Sequence, residues 1–95
     1  MPKAYWIANV TVTDPDKYTD YQALAPEAFA AHGARFLARG DAETLEGTPW
    51  QRRVVIEFDS LEAARACYES DAYQAARTHR EGACEADIAI IEGLE

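Results

Sequence analysis

The stretch RRVVIEF, Arg52 to Phe58, decides the fold. It is rich in β-branched and aromatic residues and reads as a strand. Successive strand residues point to opposite sides of a sheet, so Val54, Ile56 and Phe58 share one face while Arg53, Val55 and Glu57 share the other. The apolar set must meet a core. The other set puts two charges around Val55, on a face that is either bathed in water or lines something.

Working outward, Ala4 to Val12 is a strand of the same kind, with Trp6, Ala8, Val10 and Val12 on one face and Tyr5, Ile7, Asn9 and Thr11 on the other. Asp14-Pro15 starts a helix: Asp14 suits the N-cap, and the missing N–H of Pro15 has no partner at the first helical position in any case. Tyr18, Tyr21, Leu24, Ala25, Ala28 and Phe29 follow at helical spacing. Pro26 predicts a kink or a break in that helix, and Gly33 a stop. Arg35 to Arg39 is the next strand. Gly40-Asp41 predicts a bulge, Ala42 to Glu46 a continuation, and EGTPW, Glu46 to Trp50, the turn into Arg52. Ser60 caps a second helix through Leu61, Ala64, Cys67 and Tyr68, ESD interrupts it, and a shorter helix runs from Ala72 to about Glu81. Cys84 falls near the end of that helix. Glu85 to Glu92 closes the chain as a strand.

The order is βαββαβ, the split βαβ arrangement of the α+β ferredoxin-like fold, in a single domain spanning residues 1–95. Right-handed crossovers put both helical segments on one face of a four-stranded antiparallel sheet with spatial order 4-1-3-2. Tyr18, Leu24, Phe29, Leu61 and Tyr68 then cover one face. Ile7, Leu37, Val55 and Ile91 remain on the other, and a face that apolar predicts a second copy of the sheet against it.

The net charge of −8 argues against nucleic acid and against an anionic membrane surface as partners. The N-terminal apolar run is too short for a signal peptide and no stretch is long enough to span a membrane, so a cytoplasmic protein is expected. Cys67 and Cys84 lack metal or redox spacing, and His32 and His79 lie far apart, so neither a metal nor another cofactor is expected. No phosphate loop or nucleophile elbow is present in the sequence.

With strand 3 between strands 1 and 2, Asn9, Arg39, Arg53 and Glu57 could gather on the open face. Two arginines, a carboxylate and an amide form a possible seat for a carboxylate, enolate or phenolate. The other reading is structural. A turn centred near Thr48 would put Glu43 opposite Arg53 and Arg39 opposite Glu57, and such cross-strand pairs stabilise a sheet without any ligand.

The blocks YWIANVTVTDPDKYTDY, GARFLARG, RRVVIEFDS, AARACYESDAYQAAR and EADIAIIEG resemble, in order and through almost the whole chain, the domain of unknown function 1330 family. The resemblance implies a ferredoxin-like protomer of the dimeric α/β-barrel superfamily, which also holds small cofactor-free monooxygenases and chlorite dismutase-like proteins. It implies a homodimer through the sheets and no established activity. Cys67 stands where a Trp is usual, Ala34 where a second Gly is usual, and Asn9 where a His is frequent. Two functions follow. One is a homodimer holding a small organic anion in the barrel between its sheets. The alternative is a cofactor-free enzyme, a monooxygenase or isomerase, acting on an activated carbonyl or phenol in the same cavity.

Overall fold

The computed structural model describes residues 2–94. Its elements are β1 (Ala4–Val12), α1 (Pro15–Ala31), β2 (Arg35–Gly40), β3 (Arg52–Phe58), α2 (Leu61–Glu69), α3 (Asp71–Thr78) and β4 (Cys84–Glu92). The four strands form one antiparallel sheet in the order β2-β3-β1-β4, the ferredoxin-like arrangement that the sequence predicts.

β1 and β3 pair in unbroken register, Trp6 opposite Ile56 and Ala4 opposite Phe58. The matched alternation of the two central strands therefore gives one apolar face, and the helices cover it. Trp6 is the hub: its ring meets Tyr73 at 5.0 Å, Phe29 at 5.1 Å, Tyr68 at 5.7 Å and Phe58 at 6.0 Å. Edge and offset contacts of this kind add to the burial of the rings. Leu24, expected in this layer, is instead 41% exposed.

The helix signals act as the sequence implies. The Asp14 carboxylate accepts from the Lys17 amide at 3.2 Å, and Ser60 Oγ from the Ala63 amide at 3.1 Å. Ser70 ends α2 and caps α3, accepting from the Tyr73 amide. Gly33 takes φ +70° after α1, a conformation that costs other residues more. Among the described residues no helix is long and apolar enough to cross a membrane.

Four local expectations are corrected. α1 does not break at Pro26 but runs unbroken for 17 residues, because Tyr18 on one side of the proline and Ala25, Ala28 and Phe29 around it are all anchored in the core. Burial at four points outweighs the one backbone hydrogen bond that Pro26 cannot donate. The bulge lies at Leu37, not Gly40: Phe36 pairs with Ile56 and Ala38 with Val55, leaving Leu37 as the extra residue. Ala42 to Glu46 does not continue the strand, since β3 begins only at Arg52 and offers no further partner. Cys84 is the first residue of β4 rather than part of a helix end.

Cys67, on α2, is fully buried, and burial pushes its thiol pKa up to about 11 from the ordinary 9.0. In native protein a thiol reagent should label Cys84, which is half-buried, well before Cys67; simultaneous labelling would contradict this packing. Because the folded-state value is the higher one, the contribution of Cys67 to stability is complete below pH 9 and is lost as pH rises from 9 towards 11. Cys67→Ala should flatten the fall in denaturation midpoint across that interval.

Candidate functional site

The open face of the sheet is ordered in cross-strand rows. One row carries Arg35, Glu57, Tyr5 and Ile91, the next Ala38, Val55, Ile7 and Ala89, and the third Gly40, Arg53, Asn9 and Asp87. The Glu57 carboxylate accepts from Arg35 Nε at 2.8 Å and from the Tyr5 hydroxyl at 3.5 Å. Arg35 also bonds Asp59 at 2.9 Å and the Gly33 carbonyl at 3.1 Å. Arg53 donates from Nη2 to the Thr48 carbonyl at 3.2 Å and to Thr44 Oγ1 at 3.4 Å, while its buried Nε has no partner among the described residues. Asn9 sits between Arg53 and Asp87.

Arg39 is not among them. The extra residue at Leu37 shifts the register by one, so Arg39 lies opposite Val54, not Glu57, and Gly40 rather than Glu43 lies opposite Arg53. In a strand a one-residue slip moves every following side chain to the other face. Arg39 thus joins the helix side, its guanidinium 5.0 Å from the centre of the Phe36 ring.

That side holds a cavity of about 360 Å³ between the sheet and α1. α1 packs on α3 and stands off from the strands, whereas α2 lies directly on them. Small residues leave the room: Ala8 and Ala86 on neighbouring strands and Ala25 on the helix. Trp6, Phe29 and Ile88 make the apolar wall. Tyr18, Tyr21, Arg39, Arg52 and Arg80 supply the polar groups. A second depression, bounded by Gly40 and Asp41, shares Tyr18, Gln22 and Arg52 with the cavity and gives it an outer vestibule.

The electrostatics are one-sided. Arg39, Arg52 and Arg80 form no ion pair among the described residues, whereas Lys3, Arg35 and Arg77 do. No carboxylate, imidazole or thiol lines the cavity. Tyr18 and Tyr21 have raised pKa values, chiefly through burial, so both stay protonated near neutrality. The Tyr21 and Tyr73 hydroxyls lie 2.9 Å apart. No group of three potential metal ligands occurs among the described residues. This chemistry suits the seating of an anion and contains no ready general base.

Of the residues singled out from sequence, then, Arg39 reaches the cavity, while Asn9, Arg53 and Glu57 share the opposite face. Arg52 and Arg80 were overlooked. Arg52 carried a signal, since it has the same parity as Val54, Ile56 and Phe58 and so puts a charge on the face reserved for the core. Arg80 carried none, because it follows α3 in an irregular turn.

The profile of the domain of unknown function DUF1330 matches residues 3–94. The chain belongs to the DUF1330 family. No curated protein matches its sequence. This DUF1330 chain is similar to a protein of unknown function from Rhodopseudomonas palustris, at 18% identity and TM-score 0.77, over 99% of this chain and 84% of that one. It is similar to SnoaB, a cofactor-independent oxygenase from Streptomyces nogalater, at 10% identity and TM-score 0.70, over 100% and 96%. A dimeric ferredoxin-like protein of unknown function from Thermobifida fusca aligns at 17% identity and TM-score 0.66, over 96% and 91%. At these identities the likeness is one of fold.

The space under α1 has a direct test in stability. Ala86→Phe extends into the cavity and should change the unfolding free energy by less than about 1 kcal/mol. Ala28→Phe, at a fully buried position away from the cavity, should cost about 1–3 kcal/mol by overpacking. Urea denaturation distinguishes the two, and an equal cost would mean that the space is not there.

Proposed function

We propose that this DUF1330 protein binds a small organic anion with a planar, apolar body in the cavity under α1. The observation that carries the reading is the set of three unpaired arginines, Arg39, Arg52 and Arg80, around an apolar space in a protein of net charge −8. Lys17, Arg53 and Arg65 also form no ion pair among the described residues; what sets Arg39, Arg52 and Arg80 apart is that they converge on one cavity. A ligand anion would partner the half-buried charges of Arg52 and Arg80, with the exposed Arg39 beside them. The aromatic wall favours a flat ligand body.

The competing location is the open face, where Asn9, Arg53 and Glu57 would seat the anion between two sheets. Glu57 argues against it, being already satisfied by Arg35 and Tyr5. Calorimetric titration with benzoate and other aromatic and aliphatic carboxylates separates the two. Aromatic acids should bind wild type and raise its melting temperature by mass action. Arg52→Met and Arg39→Met should each weaken binding about tenfold or more, as loss of a charge-assisted hydrogen bond does, while Arg53→Met should bind as wild type. The reverse pattern would move the site between the sheets, and silence across the panel would end the reading.

The cofactor-free oxygenase or isomerase remains the second reading, favoured by one feature: arginines beside a phenol stabilise its anion. With no general base in the cavity, such chemistry is confined to substrates acidic enough to ionise there. Oxygen uptake with an added quinol tests it, and a rate equal to that of the quinol in buffer would exclude this activity for that substrate.

We further propose a homodimer through the open sheet face. Ile91 and Leu37 are 58% and 54% exposed there, beside half-buried Ile7 and Val55. Light scattering should give twice the chain mass of 10.5 kDa, and Ile91→Glu should shift the protein towards monomer without unfolding it. A wild-type monomer at micromolar concentration would remove the barrel.

A further inference from the structure

The innermost wall of the cavity holds a chain of hydrogen-bonding groups whose direction can be worked out. Arg80 Nη2 lies 3.4 Å from the Tyr73 hydroxyl oxygen, and that oxygen lies 2.9 Å from the Tyr21 hydroxyl. A guanidinium can only donate, so the Tyr73 oxygen accepts from Arg80. Two arrangements remain between the tyrosines. If Tyr21 donated to Tyr73, the proton of Tyr73 would be left without an acceptor among the described residues, although Tyr73 is fully buried. Buried donors are rarely left so. If Tyr73 donates to Tyr21, the chain runs from Arg80 through Tyr73 to Tyr21, and the proton left over belongs to Tyr21. Tyr21 lines the cavity and Tyr73 does not. The unassigned donor therefore belongs to the residue that a ligand can reach.

A second donor is adjacent. Arg80 also lines the cavity, and its guanidinium is 5.4 Å from the centre of the Tyr21 ring. Nη2 gives one of its two N–H groups to Tyr73, and the guanidinium keeps further donors beside the Tyr21 ring. A single O–H beside a guanidinium charge suits a single anionic oxygen, the group that a phenolate or enolate presents. Resting on the anion-binding reading above, we propose that the Tyr21 O–H, beside the Arg80 guanidinium, seats the phenolate or enolate oxygen of the ligand, with Tyr73 holding the Tyr21 hydroxyl in its donating orientation. Burial and the neighbouring Tyr73 raise the pKa of Tyr21 far above that of an ordinary phenol, so it remains a donor beside the anion.

The test uses para-nitrophenol, whose absorption spectrum distinguishes the phenol from the phenolate, with nitrobenzene as the uncharged analogue and benzoate as the carboxylate control. Wild type should bind the phenolate in preference to the phenol, lowering the apparent pKa of the bound probe. Tyr21→Phe should weaken phenolate binding about 10- to 100-fold, the usual loss for a hydrogen bond to a charged group, and change nitrobenzene binding little. Arg80→Lys keeps the charge and removes the guanidinium donors, and should show the same selective loss. If Tyr21→Phe binds the phenolate as wild type does, or loses phenolate and nitrobenzene equally, Tyr21 is wall and not donor, and the inference is overturned while anion binding stands. If neither benzoate nor the phenolate binds wild type, both readings fall.

Discussion

Trp6 is the contact on which the rest of the architecture depends. It sits on a central strand, is almost fully buried, and touches a ring from α1, β3, α2 and α3. Each helix is positioned by an aromatic edge or face against the same indole. A small domain has little other core, since Ala4, Ala8, Ala28, Ala64, Ala76 and Ala83 contribute much of the remaining buried set but little area each. The same reliance on alanine leaves a void where α1 stands away from the sheet. Compact packing under α2 and open space under α1 are two consequences of one economy in side-chain volume.

The void would be unremarkable if it were wholly apolar. It becomes a candidate site because of where the arginines fall. Arg52 arrives by strand alternation, Arg39 by the bulge at Leu37, and Arg80 by the turn after α3. Three unrelated local causes bring positive charge to one cavity, while the carboxylates near the sheet are taken up elsewhere, Glu57 and Asp59 by Arg35. Arg35, Glu57 and Asp59 form a paired cluster at one end of the sheet, whereas the three arginines of the cavity have no carboxylate partner among the described residues.

Fold likeness to a cofactor-independent oxygenase does not decide the chemistry, because one fold hosts many unrelated functions. The cavity lining offers arginines and tyrosines, groups that donate to an anion, and on the proposed reading their part is to hold one.

The order of elements, the caps at Asp14 and Ser60, the break at ESD, and the faces of β1 and β3 were legible in the sequence, because each depends on interactions within a few residues or on strict alternation. The DUF1330 motifs were legible for the same reason, as local blocks in order. The Arg39 position was not. Gly40 looked like the site of the bulge, but a bulge is placed by the pairing of both strands, and the fit of Phe36 against Phe29 keeps Phe36 on the helix face while Leu37 absorbs the extra residue. Pro26 looked like a break, and burial of the flanking residues overrode it. The cavity itself could not be read at all. Its existence depends on how far α1 stands from the sheet, a distance set by every side chain between them and written in no single stretch of chain.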